Sequence, residues 1–127
     1  MTIQPTDLPG RLIDSATVPD AVSRIRQQQT NEFAFSVFNG EHALPAPSMS
    51  PRPDCVVVHV ADVDDLGPWL TTLGGEIHQS PVFEGERLWT LHTGFPWVGG
   101  TRIQVRVTAA VLADELVLDY IRGAVKA

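Results

Sequence analysis

Cysteine is the scarcest reactive residue in this chain. Cys55 stands alone among 127 residues, which excludes an internal disulfide and a cysteine-rich zinc site. Lysine is equally rare, because Lys126 is the sole exception among basic residues that are otherwise all arginine, a bias that reads as coding preference rather than chemistry. Acids outnumber bases and leave a net charge of -6, so unspecific binding to nucleic acid or to an anionic membrane is not expected. No apolar run approaches the roughly 18 residues of a membrane helix. The start, MTIQPTDLPGR, has no basic region followed by an apolar core, so no secretory leader is expected and the cytoplasm is the default. Neither Gly74-Gly75 nor Gly99-Gly100 is followed by the lysine and hydroxyl residue of a phosphate loop, and no cofactor is expected.

What remains is ordinary globular composition, 43% apolar with a mean hydropathy of +0.02. A chain of this length buries one sizeable core, so residues 1-127 are read as a single domain. Within it, residues 1-40 read as a helical arm. Pro19-Asp20 suits a first helical turn, and Val18, Val22 and Ile25 share a side. The helix is expected to fade near Thr30-Asn31. In FAFSVF, an extended chain places Phe33, Phe35 and Val37 together, while a continuing helix accounts for the same short run equally well. Asn39-Gly40 signals a turn or a helix stop. Residues 41-53 hold Pro45, Pro47, Pro51 and Pro53 and read as an irregular or polyproline-like connector.

Residues 54-108 form the most ordered pattern. An apolar strand, DCVVVHVAD, precedes an amphipathic helix with Leu66, Trp69, Leu70 and Leu73, capped by Asp62 or Asp64 and ended by Gly74-Gly75. Three extended segments follow: GEIHQS, ERLWTLHT and TRIQVRV. Residues 109-127 then read as a C-terminal helix, with Leu116, Val117, Tyr120, Ile121 and Ala124 at helical spacing. The expected class is α+β: a four-stranded, mainly antiparallel βαβββ sheet with one crossover helix, the N-terminal arm and the C-terminal helix.

Strand parity sorts the side chains. Val56, Val58, Val60, Ile77, Trp89, Leu91, Ile103, Val105 and Val107 fall on one face, to be packed against Trp69 and Leu73. His59, His78, Thr90, His92, Arg102, Gln104 and Arg106 fall on the other. Three histidines and two arginines on one face form a candidate ligand-binding site, since guanidinium groups hold carboxylate or phosphate by charge-assisted hydrogen bonds. The same residues also suit a solvated sheet surface. Cys55 shares a strand face with His59 but lies four residues away, too far for a thiol-imidazole pair along an extended chain. In TGFPWVGG, Phe95 and Trp97 are expected at a loop tip, where apolar residues either fold back or meet a partner.

The strand-helix-strand-strand-strand order, together with VADVDDLGPWLTTLGGEI, resembles one module of the vicinal oxygen chelate superfamily, the glyoxalase-like proteins. The resemblance covers about residues 54-108 and implies a curled sheet forming a cup, with two modules paired within or between chains. It also implies metal ligands at Cys55 and about Gln104. A thiol and a neutral amide make a poor divalent site, so no metal is expected. Function is read as non-catalytic binding or regulation through association, as a homodimer or with a protein partner. The alternative is a glyoxalase-like binder of a small molecule, or an enzyme, using the polar sheet face.

Overall fold

A computed structural model describes the backbone of residues 10-126 and the side chains of residues 20-126. The N-terminal stretch read above for a leader lies outside the described residues up to Pro9. The fold is α+β. Helix α1 spans Gly10–His42, and strand β1, Ser48–Pro51, pairs antiparallel with β2, Val56–His59. A 3-10 turn at Val63–Asp65 leads into α2, Leu66–Leu73, and then β3, Glu76–Gln79. The long strands β4, Glu86–Pro96, and β5, Arg102–Leu112, form a hairpin, and the one-turn helix α3, Asp119–Arg122, follows. No described helix is long and apolar enough to cross a membrane.

The sheet has five strands in the order β1-β2-β5-β4-β3. All neighbours are antiparallel except β2 and β5, where Val56 faces Val105 and Val58 faces Val107 in parallel. The expected four-stranded sheet thus gains a fifth strand from the proline-rich connector. Proline is compatible with this position because β1 is an edge strand, where an amide can be lost without breaking the ladder.

Three helical expectations change. First, α1 begins well before Pro19-Asp20, so Pro19 sits inside it and withholds one amide donor. Second, α1 does not fade at Asn31. Asn31, Ala34, Phe35 and Phe38 are buried, and that spacing is one helical stripe rather than a strand face. The helix stops just past Asn39-Gly40, where Asn39 Oδ1 accepts from the Leu44 amide at 2.8 Å and its Nδ2 donates to the Leu44 carbonyl at 3.1 Å. Third, the C-terminal helix is a single turn. Leu112 and Glu115 close a tight turn instead, and the tail is drawn onto β3: Ile77 donates to the Ala124 carbonyl at 2.9 Å and accepts from Lys126 at 2.8 Å. Leu116, expected on a packed helix face, is 90% exposed.

One apolar cluster holds the molecule together. The parity set Val56, Val58, Val60, Ile77, Trp89, Leu91, Ile103, Val105 and Val107 is buried in it, with Leu73 half-buried at its margin. Leu66, Trp69 and Leu70 enter from α2, Ile121 from α3, and Ala34, Phe35 and Phe38 from α1. Phe35 stacks on Trp69 at 5.9 Å, and Phe38 on Phe95 at 4.3 Å. Asp62 caps the turn before α2 by accepting from the Asp64 amide at 2.9 Å, which leaves Pro68 in the first turn of that helix. Since all three helices bury their side chains on one side, the opposite sheet face carries no helix among the described residues.

Candidate functional site

That opposite face is the one parity assigned to polar residues, and the strand registers arrange it in two transverse rows. His59 faces Thr108, which faces Thr90, which faces His78. In the adjoining row Val57 faces Arg106, which faces His92, which faces Glu76. The His78 and His92 rings lie 4.1 Å apart between centroids, tilted by 42°. His78 Nε2 is 3.5 Å from Glu76 Oε1, and Lys126 Nζ is 4.0 Å from the same oxygen. The hydroxyls of Thr90 and Thr108 are 3.3 Å apart.

Only part of the expected set is brought together. His78, His92 and Arg106 are neighbours, joined by Glu76, two residues before His78 on the same face of β3. His59 sits three strands from His78, about 14 Å away at the spacing of adjacent strands. Arg102 faces Pro96 at the hairpin end and is exposed, four residues along β5 from Arg106. Gln104 lies between them, opposite Gly94. Three histidines on one face therefore resolve into a pair and a remote member.

Burial lowers the pKa of His92 below its ordinary value of 6.5, and the charges of Arg106 and then His78 act in the same direction against Glu76. The imidazole is thus kept neutral near pH 7, as a polar neighbour rather than a cation. Cys55 moves the other way. Burial raises its thiol pKa and Asp54 adds to that, with Arg106 and Arg52 opposing, so the protonated thiol dominates and its nucleophilicity is low. No three histidine, cysteine or acidic side chains among the described residues are grouped to hold a metal ion. The thiol at Cys55 and the amide at Gln104 do not fit the metal site that the resemblance implies.

The aromatic loop is corrected. Phe95 belongs to β4 and is 1% exposed, packed in the core by Phe38, and is out of reach of any partner. Trp97 is half-buried and meets Phe33 edge-on at 6.2 Å. The strand continues through Pro96 because Phe95 shares the inward parity of Trp89 and Leu91, so the core extends to the hairpin end.

A surface missing from the sequence reading lies on α1. At about 100° per residue, Val22, Ile25, Phe33 and Val37 fall on one side, opposite the buried Asn31, Ala34, Phe35 and Phe38. All four are exposed, Ile25 at 56% and Phe33 at 64%. From Asp20 to Thr30 every side chain is exposed, so this part of the helix projects from the body. The signal was present in Val22 and Ile25, but its continuation through Phe33 and Val37 needed the helical reading of FAFSVF. No protein-family model, curated protein or solved structure matches this chain.

Proposed function

We propose that the protein is a non-catalytic binding protein with an accessory or regulatory role, acting by association of α1 with a second copy of the chain. The exposed apolar stripe of α1 carries this reading. Helices gain most of their stability from packing an apolar face against something else, and this one points Val22, Ile25, Phe33 and Val37 into solvent. A facing helix would bury them at the spacing that helix pairs use. The buried thiol of Cys55, whose pKa is raised by burial, offers no nucleophile to compete with this reading.

Sedimentation of the purified chain tests the reading. The expected result is a dimer that Val22→Asp with Ile25→Asp converts to a monomer with the same circular dichroism, whose melting temperature no longer rises with protein concentration. A wild-type chain that stays monomeric up to about 100 μM, a concentration at which even weak pairing is populated, would overturn it.

A second reading keeps the glyoxalase-like alternative, a binder of a small anionic molecule on the polar face. The convergence of His78, His92 and Arg106 supports it. Loss of ligand-induced stabilisation in Arg106→Gln would be its signature, and stoichiometric zinc, nickel or iron in the purified protein would favour it over association.

A further inference from the structure

Beyond α2 the inward face of the sheet is not sealed by a helix. The inward row of β4 reads Arg87, Trp89, Leu91, Thr93, Phe95, so an arginine occupies a position whose parity belongs to the core. Between this end of the sheet and the C-terminal segment lies a cavity of about 500 Å³, within the size range of small-molecule sites. Trp89, Val111 and Val117 form an apolar wall, and Arg87 and Arg122 bring two guanidinium groups to its rim.

The lining points to a missing anionic partner. Trp89, 6% exposed, contributes its ring to the apolar wall. Neither arginine makes an ion pair among the described residues. Each is instead oriented by a neutral oxygen: Arg87 Nη1 donates to Gln79 Oε1 at 3.0 Å, and Arg122 Nη2 donates to the Val117 carbonyl at 3.2 Å. Glu115, which also lines the cavity, has one carboxylate oxygen engaged by the Leu112 amide at 3.1 Å. In a chain of net charge -6, two arginines against one carboxylate beside an apolar wall give this cavity a local excess of positive charge.

We propose that this cavity binds a small monocarboxylate with a short apolar body. The planar carboxylate suits guanidinium donors, and the indole ring and the valines receive the hydrocarbon. None of its lining residues belongs to the α1 stripe.

The indole N–H resonances of Trp69, Trp89 and Trp97 in nitrogen-15-labelled protein offer the readout. Hexanoate is expected to move the Trp89 resonance and leave that of Trp69, which donates to the Pro45 carbonyl at 2.8 Å, in place. Hexanamide, with the same body and no charge, should bind at least about tenfold more weakly, and Arg122→Gln and Arg87→Gln should each weaken hexanoate by about tenfold, the ratio expected for one lost charged contact. Arg122 is exposed, so its variant keeps the test intact should Arg87→Gln disturb folding. A Trp89 resonance unmoved by hexanoate up to about 50 mM, well above the weak-fragment range, would refute the proposal. Equal binding of hexanamide, or tighter binding of inorganic phosphate, would refute it as well.

Discussion

His92 shows how one residue's surroundings become a property of the whole protein. Its pKa is lowered in the fold by burial and by Arg106 and His78, with Glu76 opposing, whereas the unfolded chain keeps a value near 6.5. Above that value both states hold a neutral ring and His92 has no effect on stability. As pH falls below it, the unfolded state takes up a proton first, so stability is lost progressively until the folded-state pKa is passed. Melting temperature measured from about pH 7.5 to about pH 5 should therefore fall more steeply for the wild type than for His92→Gln. Parallel curves would show that the fold does not lower the pKa of this ring. The residues of this site were legible because strand parity is local: a period of two needs no knowledge of the fold. Their grouping was not, because the distance between His59 and His78 depends on strand order, which parity does not contain. Phe95 shows the same gap, since the length of β4, rather than local composition, decides that it points inward.

At the scale of elements, α1 is the instructive case. Its inner stripe is anchored by Asn31, 3% exposed, which donates from Nδ2 to the carbonyls of Arg52 at 2.7 Å and Pro53 at 3.2 Å and accepts from Gln27 Nε2 at 2.9 Å. This side chain ties the helix to the connector. Asn31→Ala should destabilise the protein by about 1–3 kcal/mol, the range for leaving buried polar groups unpaired, as read by urea unfolding. A loss within error of zero would mean that water replaces the amide. The helix was hard to read because its two apolar stripes lie on opposite sides, which blurs amphipathic periodicity. The 109-127 segment failed for the reverse reason. Its helical spacing is good, but the open edge of β3 competes for the same backbone and captures Ala124 and Lys126. By contrast α2, with first-turn Pro68 and terminal glycines, matched those sequence signals because each is satisfied within a few residues, although Asp62 caps the 3-10 turn before it rather than the helix itself.

For the whole molecule, one layer of helices on one side of a mixed sheet was legible as α+β from the order of segments, and the inward set of valines was legible from its uniformity. The parallel pairing of β2 with β5 was not, because it joins residues separated by some fifty positions and rests on how the β4-β5 hairpin folds back. Strand β1 was obscured by Pro51, which its edge position makes tolerable, and by the prolines on either side of it. The tail that closes β3 has a consequence for solubility. An uncovered edge strand offers its free amides and carbonyls as a template for another chain, the route to ordered aggregation. Here Ala124 and Lys126 occupy the outward N–H and C=O of Ile77, and the charged Lys126 ends the ladder. A chain stopped after Gly123 should therefore scatter light increasingly with time and concentration, while the full chain stays clear. The last turn of the polypeptide, read from sequence as a helix end, would then act as a guard against polymerisation of the sheet.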